Sequence, residues 1–183
     1  MALKSTICKA ELQLADLDRG HFGDYSLTIA RHPSENDHRM MVRLLAFALH
    51  ASETLAFGRG LSAEDEADLQ DLDPTGSIER WIDVGLPDEK AIRRACGRAR
   101  EVVVISYGGR AAEIWWQQTA VKVSGQKNLR VLSLSPEDSE ALTSLAQRSM
   151  RLQCTIQEGV VWLGGADQHV ELKPKILFSQ NAY

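Results

Sequence analysis

Leu3, Thr6 or Ile7, Ala10, Leu12 and Leu14 come close to alternation, as do Tyr25, Leu27 and Ile29, with Asp16-Leu17-Asp18-Arg19-Gly20 between the two runs. Successive side chains of a strand point to opposite faces, so this spacing predicts a hairpin over about 3–32. Arg31-His32-Pro33-Ser34 ends it. Met41, Leu44, Leu45 and Ala48 then recur at helical spacing, predicting a helix over about 34–53 with Ser34 as N-cap and Asp37 completing a weakened capping box. Leu55-Ala56-Phe57 reads as a short strand broken by Gly58 and Gly60, and the acid-rich stretch 62–71 as a helix opened by Ser62.

After the turn Asp73-Pro74-Thr75-Gly76, residues Ile78 to Val84 predict a strand ending at Gly85. Pro87-Asp88-Glu89 opens a helix whose apolar face is Ile92, Ala95, Cys96 and Ala99. The β-branched run Val102 to Ile105 carries no polar alternation, as in a strand covered on both faces. A helix from Arg110 to about Val123, a strand over 128–134 and a helix over 136–150 follow. The last part reads as antiparallel strands at 152–156, at 160–163 and around Val170 and Leu172. The order predicts a fold class between α/β and α+β, in one domain over 1–183: a central mixed β-sheet flanked by helices, with an N-terminal hairpin and C-terminal antiparallel strands.

With 183 residues, 44% hydrophobic and 25% charged, the chain can bury a core without disulfides or a structural metal. No window approaches the run of about 18 apolar residues that a membrane span requires. Met1-Ala2-Leu3-Lys4 leads straight into the first alternating segment, so no signal peptide is expected. Cys8, Cys96 and Cys154 are scattered and odd in number, which predicts free thiols, no disulfide partner and a cytoplasmic setting. A monomer is the default expectation. The net charge of −4 hides two blocks, −8 over 61–90 and +6 over 91–130. They mean either an acidic surface beside a basic one that attracts phosphates, or a pair of helices with ordinary solvated faces.

The chain lacks a Gly-x-x-x-x-Gly-Lys phosphate loop, a dinucleotide Gly-x-Gly-x-x-Gly and a Gly-x-Ser-x-Gly elbow, and its histidines and cysteines have no zinc spacing. On the helix over 110–123 two faces compete. Ala111, Ile114 and Trp115 extend to Gln118 and Lys122, whereas a slight rotation buries Ala112, Trp116, Thr119 and Val123. In the first case Lys122 needs a carboxylate or a phosphate beside it, because a lone buried ammonium is costly. Asp83 stands at the end of its strand, where sheet-based sites open. Glu35 stands in a helix's first turn, within i, i+4 reach of Arg39.

Four strings are too particular to be fortuitous. Arg31-His32-Pro33-Ser34-Glu35 with Arg39-Met40-Met41, Trp81-Ile82-Asp83-Val84-Gly85-Leu86-Pro87-Asp88-Glu89, Arg110-Ala111-Ala112-Glu113-Ile114-Trp115-Trp116-Gln117-Gln118 and Thr155-Ile156-Gln157-Glu158-Gly159-Val160-Val161-Trp162-Leu163 resemble the YaeQ family of bacterial proteins. The resemblance implies a variant of the PD-(D/E)XK, restriction-endonuclease-like fold, in which a helix acid and two strand carboxylates hold Mg²⁺ and a lysine assists phosphodiester attack. Carried onto this chain, it makes Glu35 and Asp83 the metal ligands. The strand over 101–107 ends Ile105-Ser106-Tyr107 without the acid-x-lysine triplet, so Gln118 and Lys122 become the substitutes. Arg94, Arg98 and Arg110 are candidate clamps on a nucleic-acid backbone. The expected function is a metal-dependent nuclease-like protein acting on phosphodiester bonds. The alternative is an inactive module of that fold that binds nucleic acid or a protein partner.

Overall fold

A computed structural model describes residues 4–59 and 65–180. The N-terminal hairpin forms as its alternation predicts, β1 (Thr6–Asp16) against antiparallel β2 (His21–Arg31), with Ala10 opposite Leu27 and Cys8 opposite Ile29. All four of these side chains are buried. The helix α1 (Asp37–His50) starts later than expected, because Asn36 rather than Ser34 accepts a hydrogen bond from the Arg39 amide and caps it. Ser34 bonds instead to the His32 ring.

β3 (Leu55–Phe57) pairs with β4 (Leu69–Leu72), which pairs with β5 (Ile78–Val84). The expected acidic helix over 62–71 is therefore corrected over its described part. Positions 62–64 lie outside the described residues, and 69–72 is a strand. Buried Leu69 and Asp71 alternate along it, and the Asp71 carboxylate is met by the hydroxyls of Ser52 and Thr54. Next come α2 (Glu89–Arg98), β6 (Ala99–Ser106), α3 (Arg110–Val123), β7 (Leu129–Ser133) and α4 (Pro136–Thr143). That last helix is shorter than its sequence predicts: Met150 already belongs to β8 (Ser149–Gln157), which alternates buried and exposed along its whole length. β9 (Val160–Gly164), β10 (His169–Leu172) and a strand unmarked by the sequence reading, β11 (Lys175–Ser179), complete the chain.

The strands form two mixed sheets instead of one central sheet, ordered β10-β9-β8-β1-β2 and β11-β7-β6-β5-β4-β3. β8 to β10 are antiparallel as expected, but β8 joins the hairpin by running parallel to β1. α1 lies in the core between the sheets. Every residue from Met40 to Ala48 is buried, as in a helix covered all round, and the same cluster holds Leu12, Ile29, Leu152 and Leu163 of one sheet and Ile82, Val103, Ile105 and Leu132 of the other. α2 and α3 cover the outer face of the second sheet through Trp81, Ile92, Val102, Val104 and Val123. Val102 to Ile105 are fully buried, matching the reading of a strand covered on both faces. Among the described residues no helix is long and apolar enough to cross a membrane, and Cys8, Cys96 and Cys154 are free thiols.

Candidate functional site

Sheet pairing brings two acids together at the carboxyl end of β5. Leu69 lies opposite Ile82 in the antiparallel register, which sets Asp68 against Asp83. The Asp68 amide donates to Asp83 Oδ1 at 3.4 Å, and the Val84 amide donates to Asp68 Oδ2 at 2.8 Å. Gly58 permits this approach. Its amide donates to the Asp68 carbonyl at 2.8 Å, and a Cβ there would stand 2.1 Å from the Ala67 carbonyl oxygen.

Two arginines from consecutive turns of α1 hold the cluster. Arg43, with a side chain wholly buried, donates Nε to Glu35 Oε1 at 2.8 Å and Nη2 to Glu35 Oε2 at 2.9 Å. Its Nη2 also reaches the Ala30 carbonyl, and its guanidinium carbon lies 5.9 Å from the Phe57 ring centroid. Arg39 bridges Glu35 Oε1 at 3.3 Å and Asp68 Oδ1 at 2.5 Å. Burial works against the Arg39 charge, but Asp68 and Glu35 outweigh it and hold its pKa above the ordinary arginine value. Glu35 Oε2 takes a further bond from the His32 amide at 3.3 Å. A carboxylate offers about four lone-pair positions, so the four donors on Glu35 leave it none free.

Asp83 differs in kind. Burial, then the neighbouring Asp68 charge, raises its pKa to about 6. The Trp81 indole leans the other way, although its Nε1 makes no hydrogen bond of ordinary distance and angle. By the same count Asp68, with two donors, and Asp83, with one, keep lone pairs free. Tyr107, one residue past β6, has its pKa raised by burial, and feels the charges of Arg39, Glu35 and Asp68. Beside it Gly108 and Gly109 adopt φ of 117° and 60°, and α3 starts without a side-chain cap, leaving amide hydrogens at its N-terminus.

The residues singled out from the sequence are thus dispersed. Glu35 and Asp83 belong to this cluster. α3 turns Ala112, Thr119 and Val123 inward and leaves Gln118 exposed. The Lys122 side chain is 56% exposed and its Nζ lies 4.0 Å from Glu89. Neither Gln118 nor Lys122 makes a hydrogen bond or ion pair with Glu35, Asp68 or Asp83 among the described residues, which corrects the expected convergence. Packing decided this: the inward face needs the small and apolar side chains.

The two charge blocks fold onto each other. Arg94 pairs with Asp65 at 2.6 Å, Arg98 donates to the Asp65 carbonyl and lies 5.1 Å over the Trp81 ring, and Arg93 and Arg100 pair with Glu89 and Glu79. Arg94 and Arg98 are therefore engaged within the protein, while Arg110 is exposed at the start of α3. Asp68 and Arg43 escaped the sequence reading. The buried Arg43 within an otherwise apolar helical run was the available signal, since an arginine there requires an acid.

The match of the YaeQ protein family model covers residues 1–174. The chain is 48% identical to "Uncharacterized protein YaeQ" of Salmonella typhi over 173 residues, 94% of this chain and 96% of that protein. It is 48% identical to the protein of the same description from Escherichia coli (strain K12) over 172 residues, 94% of this chain and 95% of the other. The crystal structure of the YaeQ protein from Xanthomonas axonopodis pv. citri matches with a TM-score of 0.93 and 50% identity, covering 96% of this chain and 99% of that one. The YaeQ structure from Pseudomonas syringae matches at 0.91 and 34% identity, covering 96% and 97%. This chain belongs to the YaeQ family.

Proposed function

We propose that the protein is a nuclease-like enzyme that acts on phosphodiester groups of nucleic acid at the Asp68–Asp83 cluster. The observation that carries this reading is the meeting of two carboxylates at the end of β5, one with a pKa raised to about 6 by burial and by the other's charge. Mg²⁺ is commonly held by one or two carboxylates, with waters and substrate phosphate completing its shell. Asp68 and Asp83 fit that role, and saturated Glu35 does not, so the ligand pair expected from sequence changes from Glu35 and Asp83 to Asp68 and Asp83.

Asp68 and Asp83 would hold Mg²⁺, which when bound would supply a more acidic water and charge neutralisation for the phosphoryl group. The chain's own residues do the rest. Arg43 locks Glu35, and Glu35 with Asp68 fixes the Arg39 guanidinium, whose remaining N–H groups face phosphate oxygens. Tyr107, whose pKa burial raises, offers its hydroxyl as a hydrogen-bond donor. The uncapped amides of α3 and the Arg110 charge orient the nucleic-acid backbone. Arg39 thus takes the cationic part that the sequence reading gave to Lys122.

Labelled single- and double-stranded DNA and RNA are incubated with the protein in Mn²⁺, Mg²⁺ or EDTA, and Mn²⁺ binding is followed by calorimetry. The expected result is cation-dependent cleavage and one Mn²⁺ site, both abolished by Asp68→Asn and by Asp83→Asn. Salt-sensitive retention of nucleic acid with neither cleavage nor Mn²⁺ binding sinks the enzyme reading and leaves the binding module.

A further inference from the structure

At the other end of α1 lies a cavity of about 170 Å³. Leu49, Leu132, Ile156 and Ile176 form apolar walls, and His50 and Arg130 stand in its lining. His50 is 7% exposed, and its Nε2 has no hydrogen-bond partner; neither does the buried Nε of Arg130. Other polar groups here are spoken for. Arg19 bonds to Asp16 and to the Ala51 carbonyl, and Arg80 to Glu101 and the His50 carbonyl, so both guanidinium groups also close the C-terminus of α1. Asp18 accepts the amides of Glu158 and Gly159. Arg130 has no ion-pair partner among the described residues.

Buried polar groups without partners are costly, and the unmet capacity in this cavity is the Arg130 guanidinium nitrogen and one imidazole nitrogen of His50. The volume exceeds several waters at about 30 Å³ each and falls short of the roughly 300 Å³ of a drug-sized site. Asp16 and Asp18 in the lining oppose a dianion, and the aliphatic walls oppose a fully hydrated ion. We infer that this cavity is a binding site for a short-chain monocarboxylate, its head group on Arg130 and His50 and its alkyl chain against Leu132, Ile156 and Ile176. A planar carboxylate suits the guanidinium fork. Burial and the charges of Arg80, Arg130 and Arg19 keep His50 neutral near pH 7, so its ring offers one N–H.

The full chain is titrated with butyrate at pH 7.5, with sodium chloride and phosphate at matched ionic strength as controls. The expected result is 1:1 butyrate binding with Kd on the order of 1 mM, as befits six heavy atoms, and at least tenfold weakening in Arg130→Gln. In the unaltered protein butyrate shifts the ring ¹⁵N resonances of His50 and not those of His21, His32, His38 or His169, a readout that survives if the variant misfolds. No butyrate binding, unmoved His50 resonances, or phosphate binding of equal strength overturns the assignment. None of these readouts depends on nucleic-acid cleavage.

Discussion

Asp68 and Asp83 are joined through the backbone of each other's strands: the Asp68 amide donates to the Asp83 carboxylate, and the amide following Asp83 donates to the Asp68 carboxylate. Two like charges are thereby held together by β pairing rather than by any charged partner of Asp83. Proton uptake by Asp83 relieves both the burial of its charge and the repulsion, which is why its pKa is raised to about 6.

Gly58 sets that geometry. Gly58→Ala drives a Cβ into the Ala67 carbonyl, so the 67–68 backbone must shift. Overpacking of this kind costs roughly 1–3 kcal/mol. Urea unfolding is expected to show that loss, and calorimetry a weakened Mn²⁺ site in the folded variant. A variant with unchanged stability contradicts the close approach.

Arg43→Met leaves the buried Glu35 carboxylate without its main partner. Breaking a buried pair from one side costs about 3–5 kcal/mol. Arg43→Met and Glu35→Gln are both expected to lower the urea midpoint markedly, whereas the double variant recovers part of the loss, read as a coupling energy. Additive losses count against the pair.

Lys122→Ala touches an exposed ammonium 4.0 Å from Glu89. Exposed pairs contribute little, so stability is expected to stay within about 0.5 kcal/mol. Mn²⁺ binding is expected to stay unchanged too, in contrast to Asp68→Asn. A lost Mn²⁺ site in Lys122→Ala returns this lysine to the cluster.

Two buried groups pull stability in opposite directions with pH. Burial, then Arg80, Arg130 and Arg19, lowers the His50 pKa from 6.5 to about 3, so below pH 6.5 the unfolded chain takes up a proton the folded protein refuses. Stability therefore falls as pH drops from 6.5 towards 3. Asp83 rises from 3.8 to about 6, so its folded form takes up a proton first, and its contribution is lost as pH rises from 3.8 through 6. At about 1.4 kcal/mol for each pKa unit, His50 is the larger effect. In EDTA, His50→Leu is expected to flatten the acid limb of a stability–pH curve, and Asp83→Asn to steepen the fall below pH 6.

Local pattern alone determined much of this chain. The alternation of β1 and β2, the unbroken aliphatic run of β6 and the bounds of α3 are all legible, because periodicity and turn residues act between near neighbours. So is family membership, through strings such as Trp81 to Glu89. Tertiary structure decided the rest. Leu69 to Asp71, at the end of a stretch of helical composition, form a strand because β5 offers backbone partners, and that pairing makes Asp68 a neighbour of Asp83. The two faces of α3 were nearly equal in sequence until the sheet beneath it took Ala112, Thr119 and Val123 and sent Lys122 to solvent. Opposite charge blocks, ambiguous along the chain, became mutual partners once Asp65 met Arg94, since Coulomb attraction depends on distance in space and not in sequence.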